Sequence, residues 1–164
     1  MPLFLPVNQV VETSSFEFAA NTLTIAQTLF LSVVETPGYP ISVSSMECFF
    51  SVVNGSNPTI ELGIYNWNTS GNGSLVASAT VVPNAAGFWT VTFASPVTLL
   101  SRTKYYFAYL NRTAADATTS LGVVGANTFH IQICATMASQ TSMPANLASL
   151  STTNGNRLTL RAYT

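Results

Sequence analysis

The chain has 164 residues, 48% apolar and 11% aromatic, yet only 7% are Asp, Glu, Lys or Arg, against about 25% in ordinary soluble domains. A formal net charge of −1 leaves neither the basic footprint that nucleic acid requires nor a polybasic segment for anionic membranes. Mean hydropathy is +0.36, but Ser and Thr interrupt every apolar stretch before the roughly 18 residues of a spanning helix, and the Val, Ile, Leu, Phe and Tyr content argues against disorder.

Residues 1–21 read as an extended N-terminal arm ahead of one domain, residues 22–164. The segment Met1 to Ser14 lacks a basic n-region and a cleavage site, and Pro2 and Pro6 break its apolar run, so no secretory signal is expected. Phe4, Leu5, Phe16 and Phe18 are the candidate partner-binding residues of the arm. Beyond it, no stretch keeps a 3.6-residue apolar period with helix caps, and period-two runs divided by Gly, Asn and Pro recur instead.

Thr22 to Val34 reads as a first strand, closed by the turn Thr36-Pro37-Gly38-Tyr39-Pro40. Ile41 to Val53 is the second. Its apolar phase moves from odd positions (Ile41, Val43) to even ones (Met46, Cys48, Phe50), a slip that predicts a β-bulge at Ser44-Ser45. After a loop from Asn54-Gly55, Thr59 to Asn66 carries Ile60, Leu62 and Ile64 inward. A Gly/Asn turn then leads to Leu75–Val82 and to Gly87–Ala94, the latter with Trp89, Val91 and Phe93 on one face. Pro96 to Leu100 is expected as a separate short strand. In Thr103 to Asn111 both faces are apolar or aromatic, so cover is expected on both sides. Thr128 to Ala135, a Ser/Met/Pro/Ala loop over residues 136–151, and Arg157 to Tyr163 complete the chain. Eight or so strands without helices predict an all-β fold, a single jelly-roll-like antiparallel β-sandwich with an extended N-terminal arm.

Residues that carry chemistry are scarce. His130 is the one histidine and Asp116 the one aspartate, and nothing in their spacing joins them as base and orienter. There is no G-x-S-x-G elbow, no Gly-rich phosphate loop and no spacing for a metal site, so no catalytic residue, cofactor or metal is assigned. Glu47 and Glu61 fall opposite in phase to the apolar faces and are expected to be solvated. Cys48 and Cys134 are expected as buried thiols, with a disulfide between neighbouring strands as the alternative. The Asn-x-Ser/Thr sequences at Asn54, Asn68, Asn72 and Asn111 occur at about the frequency expected by chance. Among Tyr65, Trp67, Trp89, Tyr105, Tyr106 and Tyr109 several are expected outside the core. Tyr65 and Trp67, at a strand-to-turn junction, form a candidate glycan platform, the alternative being that Trp67 packs over the end of the sandwich or at a subunit interface.

The ladder Ile60-Glu-Leu-Gly-Ile-Tyr-Asn66, Gly87-Phe-Trp-Thr-Val-Thr-Phe93, Pro96-Val-Thr-Leu99 and Thr103-Lys-Tyr-Tyr-Phe-Ala-Tyr109 resembles jelly-roll modules of bacteriophage virion proteins and of some bacterial surface proteins. It spans roughly residues 40–111. Such modules have a Gly before the Thr-x-Tyr-Tyr strand, where this chain has Ser101-Arg102. The resemblance implies a non-enzymatic virion structural protein. Together with the low charge, which suits a surface covered by neighbours, it implies a homotrimeric capsid decoration (cement) protein on the phage head surface. Such a protein is made in the host cytoplasm, and its partner is the major capsid protein. The alternative is a carbohydrate- or receptor-binding module of a phage tail or head fibre.

Overall fold

The computed structural model describes residues 11–12, 26–53, 57–114, 120–121, 123–124, 134–153, 157–158 and 160–164. Its strands in chain order are β1 (Val11–Glu12), β2 (Leu29–Glu35), β3 (Ile41–Val52), β4 (Ile60–Asn66), β5 (Leu75–Val81), β6 (Gly87–Leu99) and β7 (Lys104–Asn111). After these come β8 (Ser120–Leu121), β9 (Val123–Val124), β10 (Cys134–Met137), β11 (Ser151–Thr153), β12 (Arg157–Leu158) and β13 (Leu160–Tyr163). One sheet runs β1-β13-β3-β6 with β8 also on β3, a second runs β11-β10-β2-β7-β4-β5, and β9 pairs with β12. Every pairing is antiparallel. The protein is an all-β sandwich.

The two sheets meet through the residues that alternation assigns inward. Ile41, Val43, Met46, Cys48 and Phe50 of β3, Val91, Phe93 and Leu99 of β6, and Leu160 and Ala162 of β13 line one side. Phe30 and Val34 of β2, Ile60, Leu62 and Ile64 of β4, and Tyr105, Phe107 and Tyr109 of β7 line the other. Burial of this apolar area is the main favourable term of the fold. Cys48 is a free thiol within this core, and burial, reinforced by the neighbouring Glu47 carboxylate, pushes its pKa far above that of an exposed cysteine. The reading of Cys48 as a buried thiol stands, and a bridge from it to Cys134 does not form.

The phase slip of β3 coincides with a register break between Val43 and Ser45. Across it β3 advances two positions, from 43 to 45, while β6 moves five, from Val97 to Thr92. The surplus residues therefore bulge from β6, and Pro96 sits among them. The expected division at Ala94-Ser95 does not occur, because an unpaired stretch of an outer strand tolerates a residue without an N–H. β2 is shorter than the expected first strand: Ala26 and Gln27 form a turn, with Gln27 in the left-handed region at φ 57°. Strand β10 begins at Cys134, and residues 128–133 of the expected Thr128–Ala135 strand lie outside the described residues.

Both faces of β7 are covered, as its composition predicts. The outer cover comes from the same chain. Leu29, Leu31, Tyr65, Tyr106, Ala108, Leu110 and Ala135 form a second apolar cluster on the far side of the six-stranded sheet, and Met143 and Leu147 of the loop between β10 and β11 close over it. Gly63 makes this possible. A Cβ there would lie 2.4 Å from Met143 Sδ and 2.9 Å from the Ala77 carbonyl oxygen, so a larger residue would displace the Met143 side chain and press on the backbone of β5.

Candidate functional site

The loop over the outer face is held by a buried carboxylate. Glu61 is 7% exposed, which corrects its expected solvated position: the polar phase of β4 faces the covering loop rather than water. Its Oε1 accepts from the Ser78 hydroxyl at 2.9 Å and its Oε2 from the Met143 N–H at 3.0 Å. Arg112 Nη1 lies 3.8 Å from Oε2, and Arg112 Nε donates to the Thr141 carbonyl at 2.8 Å. Further along, Leu75 N–H donates to Ala145 O and Leu147 N–H to Gly73 O. A carboxylate so fully partnered organises structure, because buried charge persists only where hydrogen bonds replace its hydration.

Tyr65 is part of this cover and not of a platform. It is 0% exposed, and its hydroxyl donates to the Pro144 carbonyl at 2.9 Å. Burial first, and the Glu61 charge second, push its pKa well above the ordinary tyrosine value. The candidate pair therefore divides, with Tyr65 beneath the loop and Trp67 half-buried at the end of the sandwich. Tyr105, Tyr106 and Tyr109 are also buried, which corrects the expectation that several of the ring side chains lie outside the core. Two-sided burial of β7 accommodates aromatic residues on both phases.

Trp67 stands at the end of the sandwich where β2, β4 and β6 finish and β3, β5 and β7 begin. It packs partly against the second cluster and separates two clefts. One, of about 430 Å³, is lined by Asn68, Ser70, Tyr106, Ser149 and Leu150 among others. The other, of about 360 Å³, is lined by Glu35, Trp67, Arg102, Thr103 and Lys104. Strand register explains the charge here. Glu35 lies directly opposite Lys104 across β2 and β7, and Lys104 Nζ sits 5.1 Å from the centroid of the Trp67 ring, within cation–π range.

Both flanks of Trp67 are stiffened by local hydrogen bonds. Asn66 Nδ2 donates to Ser74 Oγ at 2.9 Å. The Asn68 side chain accepts from the N–H groups of Ser70 and Asn72 and donates to the Asn72 carbonyl, an Asx-type turn. On the other rim, Thr36 Oγ1 accepts from Thr103 N–H at 2.9 Å and hydrogen-bonds the Leu100 carbonyl. Arg102 N–H donates to the Pro37 carbonyl at 2.9 Å. Arg102 has φ 49°. The turn into β7 thus holds an arginine in the left-handed region.

The outer face of the five-stranded sheet differs. Phe49 and Phe88 face each other across β3 and β6 with ring centroids 5.0 Å apart, and Phe88 is 48% exposed. Arg161 lies between this ring, 5.2 Å from its centroid, and Glu47 Oε1, at 3.4 Å. Tyr163 donates to the same oxygen at 2.8 Å. Tyr39, Val82 and Leu100 are further large apolar side chains at the surface.

Phe4, Leu5, Phe16, Phe18, Asp116 and His130 lie outside the described residues, although Val11–Glu12, within the expected arm, pairs with β13. Among the described residues no three His, Cys, Asp or Glu side chains gather as a metal site, and no helix is long and apolar enough to cross a membrane. Glu35, Trp67, Arg102 and Lys104 form no motif in the sequence. No protein-family model matches the chain, and no curated protein matches its sequence.

Proposed function

We propose that the protein is a non-enzymatic virion structural protein, a homotrimeric jelly-roll decoration protein that stabilises a phage head by bridging major capsid subunits. One observation supports this reading above the others: Tyr39, Val82, Phe88 and Leu100 stay 48–60% exposed on a chain with eleven charged residues in all. A weakly charged surface with large apolar side chains favours association, and interfaces depend more on shape and apolar area than on charge. The arm, with Phe4, Leu5, Phe16 and Phe18, is the proposed tether to neighbouring capsid subunits. Light scattering of the purified chain should report one defined oligomer of three copies, and a monomer at high concentration would sink the reading. Removing residues 1–10, which leaves β1 in place, should abolish binding to purified heads while the sandwich still folds, and unchanged binding would refute the tether.

A second reading is favoured by the Trp67 cleft: a carbohydrate- or receptor-binding module of a tail or head fibre. Loops at one end of a sandwich are the usual place for ligand recognition, and an indole held beside polar and charged groups suits the apolar face and hydroxyls of a sugar. Glycan-array binding that is lost on Trp67→Ala would support it, and an array without signal would count against it.

A further inference from the structure

We infer that the Trp67 cleft takes a saccharide bearing a carboxylate, its ring stacked on Trp67 and its acid held by Arg102 and Lys104. This rests on the second reading above and sharpens it. Three observations carry the inference. The first is charge placement. Of eleven charged residues in the chain, Glu35, Arg102 and Lys104 line one cleft with Trp67. Its lining carries two cations against one carboxylate, although the chain as a whole is at −1. Concentrating scarce charge at a single concave site creates a local positive potential that a ligand anion can use.

The second is backbone strain. Arg102 occupies φ 49°, a conformation that costs a non-glycine side chain energy and persists only where the surrounding structure holds it; Gln27, Asn57 and Ser139, which line neither cleft, share it. Glycine would make this turn without that cost, but it would bring no guanidinium to the rim. Ser149, which lines the adjoining cleft, is likewise left-handed at φ 54°.

The third is availability. Arg102 and Lys104 are exposed, and neither they nor Glu35 form an ion pair with another described side chain. A guanidinium can engage a carboxylate in two-point geometry, and that of Arg102 lies beside Gly38, where no side chain stands in its way. Lys104 sits over the indole. A sugar stacked on that face takes its place, and the ammonium turns to the acid. Glu35 is the acceptor for sugar hydroxyls. The hydrogen-bonded turns at residues 66–74 and 100–103 fix the backbone on either side of Trp67 and at Arg102 before any ligand arrives, which lowers the ordering cost of binding.

The test uses the full chain and isothermal titration with four probes: sialyllactose and its neutral parent lactose, and a galacturonic acid trimer and a neutral galactose trimer. At least one acidic probe should bind tenfold or more tightly than its neutral counterpart, and the preference should fall as salt rises. Arg102→Gly should bring the acid-to-neutral ratio close to one while Tm holds or rises, because the substitution removes strain. That combination separates a ligand contact from a structural one. Lys104→Ala should lower the ratio at unchanged Tm, which covers the case that Trp67→Ala fails to fold. Equal binding of acidic and neutral probes overturns the carboxylate assignment and leaves the glycan reading standing. An acid preference unchanged in Arg102→Gly and Lys104→Ala places it elsewhere and overturns the site. Binding of no probe overturns both the site and the glycan reading.

Discussion

The two sheets of this sandwich treat their outer faces in opposite ways. On the six-stranded sheet, Tyr65, Tyr106, Leu29 and Leu31 lie beneath the loop of residues 138–150, which is fastened through Glu61. On the five-stranded sheet the outer face shows Phe88 at 48% exposure, beside a Glu47–Arg161–Tyr163 network. The first face has a cover supplied by its own chain. The second has no such loop among the described residues. A strand apolar on both sides therefore does not by itself announce a partner, since a loop of the same chain can meet the requirement. Side chains that remain exposed, such as Tyr39, Val82 and Leu100, are better pointers to one.

Four measurements test that contrast. The largest effect is expected from Tyr65→Ala, which empties a buried ring site and removes the bond to Pro144. The cost should be about 3–5 kcal/mol, read by denaturant unfolding. A loss below about 1 kcal/mol would mean that the loop is not seated there. Glu61→Gln should cost about 1–3 kcal/mol, because the amide nitrogen cannot replace one of the two accepting oxygens. The loop of residues 138–150 should then become the first site of limited proteolysis.

The third measurement is alkaline stability. Tyr65 and Tyr106 have raised pKa values, both through burial and Tyr65 also through Glu61. Such groups add stability that is complete below the unfolded pKa of about 10 and declines as pH rises above it. Unfolding midpoints should fall above pH 10, and the fall should be smaller in a Tyr65→Phe variant. The smallest effect on stability is expected from Phe88→Ser, at most about 1 kcal/mol, together with a clear loss of self-association in sedimentation. If it destabilises as much as Tyr65→Ala, the two faces are not different in kind.

How much of this was legible beforehand can be judged from particular residues. The Met46-Cys48-Phe50 phase located the register break in β3, because side-chain alternation has a strict period of two. It could not say that the surplus residues belong to β6, since that depends on the partner strand. Tyr65 and Trp67, two positions apart, looked alike in sequence. Tyr65 lies inside because Pro144, distant in the chain, returns over it.

By itself the sequence determined the all-β class, the inward residues of most strands, the two-sided burial of β7 and the scarcity of charge. All of these follow from local periodicity and composition. Only the tertiary structure decided that the loop of residues 138–150 supplies the outer cover, that Glu61 is buried, and that Glu35, Arg102 and Lys104 meet around Trp67. Those outcomes depend on strand register and on loops closing over residues far away in sequence, and such long-range pairings leave no periodic mark in the chain.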